Sequence, residues 1–245
     1  MPPPVYQPNP LWTAVDSYTT SHLHTQPPSL HDSLSRALSA SAAASLPSIA
    51  VSPVQGKFLM LQARLLRARH ILEVGTLGGY STIWLAHANP TVRITTVELD
   101  PHHAAVSRQN VDAAGVGNRV EIVIGTGLDV LPRLSDEVRR GERDLWDMTF
   151  IDADKENSWN YLDLAVKMSR GGALIVVDNV VRRGRLADEE AARSDSQLRG
   201  NRVMVEKLHG DERVDATVTQ MVSEKSYDGM LLAVIRDDIR DFLSQ

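Results

Sequence analysis

Between His70 and Asp178 the sequence repeats one unit: a short apolar run, a turn or carboxylate that ends it, then a longer stretch with helical spacing. The apolar runs are His70–Val74, Val92–Val97, Arg119–Ile124, Asp147–Ile151 and Ala173–Val177. The helical stretches between them are Thr82–Ala88, Pro101–Ala114, Leu128–Arg139 and Asn157–Met168. Strands and helices alternating at this spacing imply a parallel sheet with helices on both faces. At 245 residues the chain fits one sizeable α/β domain. After Asp178 the pattern changes. Residues 180 to 197 are polar and read as a long loop, and Leu198–Leu208 is helical. Ala216–Val222 and Met230–Ile235 read as antiparallel strands, with Asp228-Gly229 favouring a hairpin turn between them.

Ahead of the repeat, residues 1 to 10 form a proline-rich arm. Asn9 is placed to cap a first helix through Trp12, Val15 and Tyr18, with Pro10 at its first position. Ser29-x-x-Asp32 resembles a capping motif for a second helix, and Ser52-Pro53 starts a third. Residues 1–50 are therefore expected to pack as an arm and helices on a core domain, 51–245.

Charge and composition exclude some partners. The formal net charge is −5, so there is no basic surplus for a nucleic-acid face, although Arg182-Arg183-Gly184-Arg185 remains a candidate local anion contact. With no cysteine, disulfides and thiolate metal sites are excluded. No apolar stretch approaches membrane-span length, and the N-terminus shows neither a secretory nor a transit pattern. The expectation is a soluble protein of the cell interior.

The turn Glu73-Val74-Gly75-Thr76-Leu77-Gly78-Gly79-Tyr80-Ser81 follows a strand and opens a helix, where backbone can approach a ligand closely. Its glycines do not match G-x-G-x-x-G, so the dinucleotide fingerprint is not met. Glu73, at the strand end, suits a ligand ammonium better than a pyrophosphate, because two anions would repel. Glu98, at the next strand end, is positioned for two ribose hydroxyls. An ammonium and a ribose together describe S-adenosylmethionine. The plain alternative is a tight turn with Glu98 a solvated acid.

Phe150-Ile151-Asp152-Ala153-Asp154-Lys155 and Asp178-Asn179 close two consecutive strands, where open α/β sheets bind ligands. Asp152, Asp178 and Asn179 offer three oxygen ligands and no His or Cys, which suits Mg²⁺, Mn²⁺ or Ca²⁺ rather than zinc. Taken singly, the same residues serve as helix caps and turns. Lys155 lies three residues beyond Asp152. An ammonium beside a dication is disfavoured, which favours the neutral amine that a base needs; the alternative is a plain salt bridge. Tyr80, Trp159 and Tyr161 are candidates for the pocket wall or for core packing. His22-x-His24 and His102-His103 could bind metal, but read first as surface or packing residues.

With these residues in place, the chain resembles the cation-dependent O-methyltransferases, the family of the caffeoyl-CoA and catechol O-methyltransferases. The resemblance runs from about Val51 to Arg236. It rests on Val51-Ser52-Pro53-x-Gln55-Gly56-x-Phe58-Leu59, Leu72-Glu73-Val74-Gly75-Thr76-x-x-Gly79-Tyr80-Ser81, Phe150 to Lys155 and Val177-Asp178-Asn179-Val180. It implies a Rossmann-like class I methyltransferase fold: a seven-stranded, mostly parallel sheet with an antiparallel end. It also implies that Asp152, Asp178 and Asn179 bind the metal and that Lys155 deprotonates the acceptor. Val51, Glu73, Gly75, Thr76, Ser81, Glu98, Gly127 and Asp154 would border the S-adenosylmethionine pocket. The implied acceptor is a phenolic small molecule, a catechol, hydroxycinnamate or flavonoid, and the implied assembly a homodimer. Val180-Val181-Arg182-Arg183-Gly184 departs from the Thr-Leu-Trp-x-Gly segment of plant caffeoyl-CoA enzymes, which points away from a CoA ester. Competing readings are an NAD-type dehydrogenase, which lacks its glycine pattern here, an RNA methyltransferase, and a non-catalytic cofactor-binding partner.

Overall fold

The computed structural model describes residues 9–25 and 27–237; the proline-rich arm up to residue 8 lies outside the described residues. Three helices come first: α1 (Pro10–Leu23), α2 (Pro28–Ala43) and α3 (Pro53–Leu65). The alternating region follows as β1 (His70–Val74), α4 (Tyr80–Ala86), β2 (Arg93–Glu98), α5 (Pro101–Ala113), β3 (Val120–Ile124), α6 (Gly127–Arg139), β4 (Trp146–Ile151), α7 (Ser158–Met168) and β5 (Ser169–Val177). The chain closes with α8 (Glu189–Ser194), α9 (Ser196–Leu208), β6 (Val214–Val222) and β7 (Tyr227–Ile235).

Most helix starts are chemically marked. The side chains of Asn9, Asp100 and Thr126 accept from the first-turn amides of α1, α5 and α6. Ser52 and Gln55 form a reciprocal capping box at α3. The start of α2 differs from expectation: it begins at Pro28, and its cap residue, Pro27, makes no side-chain cap bond. Two consecutive prolines fix the entry backbone there, so Ser29 is already inside the helix, its carbonyl taking the Ser33 hydroxyl at 2.7 Å.

The seven strands form one sheet in the order β3-β2-β1-β4-β5-β7-β6. β1 pairs in parallel with both β2 and β4, and β4 with β5, while β7 runs antiparallel between β5 and β6. Chain order reverses at β1 and β4, which opens a crevice beyond their carboxyl ends. Both faces of the sheet are buried, so the period-2 alternation sorts side chains between two cores. Ile71, Met148, Phe150 and Val176 face the layer of α2 to α5. Leu72, Val74, Ile151, Ile175 and Val177 face α6, α7 and α9. Among the described residues no helix is long and apolar enough to cross a membrane.

Two expectations about the C-terminal third are corrected. The segment 180–197 is not loop throughout: Asp188 and Asp195 accept from the amides of Ala191 and Leu198, and so start α8 and α9. The hairpin turn is Ser223 to Ser226 rather than Asp228-Gly229, both of which lie in β7 opposite Met221 and Gln220. The Ser223 hydroxyl accepts from the amides of Lys225 and Ser226, which closes the turn without an Asp-Gly pair. Asp228 is committed elsewhere, to the amides of Arg182 and Gly229.

α3 and α4 meet at Gly56, where a Cβ would lie 2.3 Å from Cδ1 of Trp84. Trp84 is itself fully buried, so it has no direction in which to yield. Gly56→Ala should therefore lower unfolding stability by about 1–3 kcal/mol through overpacking, despite the better helix propensity of alanine. Urea denaturation midpoints would measure it; an unchanged or raised midpoint would show that the indole can move aside.

Candidate active site

The sheet ladders run one residue past the ends of the central strands. Gly75 N donates to Val97 O at 2.9 Å, Asp152 N to Val74 O at 2.8 Å, and Asp178 N to Ile151 O at 3.0 Å. These three bonds set Gly75, Asp152 and Asp178 side by side at the crevice. At Gly75, φ is +98°, and a Cβ would fall 2.2 Å from the Asp152 carbonyl oxygen. Only glycine permits that approach.

A cavity of about 470 Å³ opens here. Of the residues expected at the pocket, Val51, Gly75, Thr76, Ser81, Glu98, Gly127, Asp152, Asp154, Lys155 and Asn179 lie on its wall. Glu98 accepts from the amides of Thr76 at 3.1 Å, Leu77 at 2.7 Å and Asp100 at 3.0 Å, so its carboxylate is held rigidly at the end of β2. His103, also on the wall, places Nδ1 3.6 Å from Glu98 Oε1. On the opposite side, Asp154 accepts from the Tyr161 hydroxyl at 2.6 Å. Burial and that carboxylate both push the Tyr161 phenol well above its ordinary range. Gly127 packs against the same ring, where a Cβ would sit 2.6 Å from Cε1.

Glu73 is placed differently: it lies beneath the wall, fully buried, and does not line the cavity. Its carboxylate accepts from the hydroxyls of Ser81 at 2.6 Å, Thr82 at 2.5 Å and Thr96 at 2.7 Å. Burial pushes its pKa up to about 7 against the opposing pull of those three hydrogen bonds.

At the ends of β4 and β5, Lys155 Nζ meets Asp152 Oδ1 at 2.8 Å. Lys155 is only 4% exposed, an uncommon state for a lysine. The turn that carries it is fixed from two sides. Its amide donates to Gln197 Oε1 at 2.9 Å, and α9 presses in at Gly200, where a Cβ would come 2.1 Å from the Lys155 carbonyl oxygen. Asp178 sits just behind the wall, 2% exposed, and receives a hydrogen bond from Asn179 N at 2.7 Å. Burial, and then the charge of Asp152, raise its pKa to about 7. Asn179 has a left-handed φ of 55°, and its carbonyl accepts from Asn201 Nδ2 at 2.8 Å.

Two carboxylates face one ammonium here, and that ammonium bonds to Asp152, so Asp178 is buried with no cationic hydrogen-bond partner among the described residues. Oxygen donors in that state fit a hard divalent cation. Among the described residues no three His, Cys, Asp or Glu side chains gather as a metal cluster; this donor set is two acids and an amide.

Of the three aromatic candidates, Tyr80 and Tyr161 line the cavity, whereas Trp159 packs outside it with Lys207 Nζ 5.0 Å above its ring. The supports Gln197 and Asn201 were not singled out from the sequence, which named Arg182 only within an anion-contact cluster and His103 only in the His102-His103 pair. No local pattern marks Asn201.

A family model described as O-methyltransferase matches residues 25–235. The chain belongs to the O-methyltransferase family, and it is a methyltransferase enzyme. The O-methyltransferase imqG of Aspergillus flavus is 49% identical over 233 residues, which cover 94% of each chain. Catechol O-methyltransferase of Mycobacterium tuberculosis is 46% identical over 94% of this chain and 98% of its own. The structure of the O-methyltransferase from Bacillus cereus in complex with SAH shares the fold with a TM-score of 0.86 at 41% identity, over 92% of this chain and 99% of that one.

The raised pKa of Glu73 has a stability consequence with a definite sign. Its folded value, about 7, exceeds its ordinary value of 4.5, so the stabilisation is complete below pH 4.5 and is lost as pH rises through 7. Glu73→Gln does not titrate. The variant should gain on the wild type by on the order of 3 kcal/mol between pH 4.5 and 8. Urea melts of both proteins without cofactor, at pH 5 and pH 8, would measure it; an equal gap at the two pH values would show that Glu73 ionises normally.

Proposed function

We propose that this O-methyltransferase transfers a methyl group from S-adenosylmethionine to a phenolic hydroxyl of a vicinal diphenol, with a divalent cation held by Asp152, Asp178 and Asn179. The observation that carries the reading is the buried Lys155 paired with Asp152 at 2.8 Å on a cavity wall, beside Asp178, a buried carboxylate. The named catechol O-methyltransferase relative and the SAH-bound neighbour support the acceptor class and the donor.

In this reading the donor's ribose hydroxyls meet the Glu98 carboxylate, whose three amide contacts hold it in place. The methionine end follows the backbone at Gly75 and Thr76, with Val51 and Ser81 beside it, while Gly127 and Asp154 border the other side. Glu73 acts from beneath: it fixes the Ser81 hydroxyl, and its charge favours the donor's ammonium. When bound, the donor supplies an electrophilic sulfonium methyl, and the cation supplies Lewis-acid stabilisation of the phenolate.

The chain's own residues do the rest. Lys155 Nζ takes the phenolic proton, from a position set by Asp152 and by the Gln197 contact to its amide. The cavity walls hold the phenolate oxygen against the methyl carbon for in-line attack. A homodimer would cover the exposed apolar side chains of α1, Leu11, Val15 and Tyr18; a monomeric mass by light scattering would remove that assignment.

An isotope-labelled methyl-donor assay on a diphenol panel, with Mg²⁺, Mn²⁺ or chelator, tests donor, acceptor and ion together. Lys155→Met should lower kcat by about 10²–10⁴-fold with little change in donor Kd; an unchanged kcat would remove its role as base. Asp152→Ala should abolish cation-dependent turnover in a protein that still folds by circular dichroism. Full activity of that variant in EDTA would overturn the cation site.

A further inference from the structure

The arginine cluster after the Asp178-Asn179 pair has one member that the proposed chemistry leaves unused. Arg185 pairs with Asp195 at 3.0 Å, and Arg183 does not line the cavity. Arg182 does line it, three residues beyond Asn179. Its guanidinium forms no hydrogen bond or ion pair with a described residue, although its charge reaches Asp195 and Asp228. The other long cation on the wall, Lys155, is already engaged by Asp152.

The backbone that presents Arg182 is built rather than loose. Its φ of 53° is left-handed, a costly conformation for a side chain of this size. Arg182 N donates to Asp228 Oδ1 at 2.8 Å, and Val180 N to the Gly229 carbonyl at 2.9 Å, so β7 clamps the segment on both sides of Val181. Gly229 is required for that clamp, since a Cβ there would come 2.4 Å from Cγ2 of Val181. A second cation stands near the same rim. Lys225, in the turn between β6 and β7, donates to the carbonyl of Ala50, itself a residue of the wall, and its charge reaches Asp178. A forked, permanently charged donor facing a partly desolvated cavity matches a planar carboxylate.

We propose that Arg182 is a specificity-determining residue that binds a carboxylate carried by the acceptor, so that the preferred substrates are vicinal diphenols bearing an acidic group. This inference rests on the acceptor class proposed above, and commits it to an anionic subset. Lys225 adds longer-range attraction from the rim, and Asp228 sets the position of the Arg182 backbone.

The test compares 3,4-dihydroxycinnamate with its neutral amide in the labelled-methyl assay, as a ratio of kcat/KM values. The wild type should favour the acid by about tenfold or more, the scale of one charge-assisted hydrogen-bonded pair. Arg182→Gln should collapse that ratio to near one, and Arg182→Lys should restore part of it. An acid preference that survives Arg182→Gln, or a wild type that does not discriminate, would overturn the proposal. So would a matching loss of S-adenosylmethionine affinity in Arg182→Gln, which would place the guanidinium at the donor's own carboxylate. Equilibrium binding of the same two compounds to the SAH complex separates the two readings. Acid-selective binding that depends on Arg182 without methyl transfer to either compound would uphold the anion site and sink the diphenol reaction.

Discussion

The structure depends on a few backbone hydrogen bonds that carry the parallel ladders one step beyond β1, β4 and β5. Asp152 N to Val74 O and Asp178 N to Ile151 O fix two carboxylates at adjacent strand ends before any side-chain contact is considered. Their spacing then follows from the sheet, whose neighbouring strands lie about 4.8 Å apart. Gly75 completes the arrangement because any side chain there would strike the Asp152 carbonyl. A site built on strand ends is held more precisely than one built on a free loop.

That rigidity has an electrostatic cost, and the acids around the crevice divide according to how it is met. Glu98 is surrounded by amide donors, and Asp154 takes hydrogen bonds from Tyr161 and Asn157. Glu73 is satisfied by three hydroxyls yet so deeply buried that desolvation still outweighs them. Asp178 has burial and the repulsion of Asp152 against it, with only Lys155 and one amide in its favour. The least compensated carboxylate thus lies beside the lysine that the proposed reaction needs, as expected where buried charge is kept for chemistry rather than for stability.

Much of this architecture was legible because buried parallel strands write themselves as short apolar runs, and Asp152, Glu98 and Asp178 stand where such runs stop. Caps were legible at Asn9 and Ser52, where a side-chain oxygen does the capping, and illegible at Pro27, where ring geometry does it. α8 was hidden because a short polar helix has no periodic apolar face. The Asp-Gly pair misled for a tertiary reason: Asp228 holds the Arg182 amide, and Gly229 makes room for Val181. The depth of Glu73 was likewise unreadable, because its partners come from the following helix and from the neighbouring strand.

The same clamp explains why the segment after Asn179 can differ in sequence without loosening the site. Asn179 and Arg182 both hold left-handed backbone conformations, which cost free energy unless neighbouring structure imposes them. Asn201 of α9 fixes the Asn179 carbonyl, and Asp228 of β7 fixes the Arg182 amide, so the segment is anchored at both ends by elements outside it. Those anchors grip the backbone, not the side chains. The side chain at 182 can therefore be exchanged while the Asn179 backbone stays anchored. A wall with a fixed backbone and a variable side chain is how one fold can keep its chemistry constant and change what it acts upon.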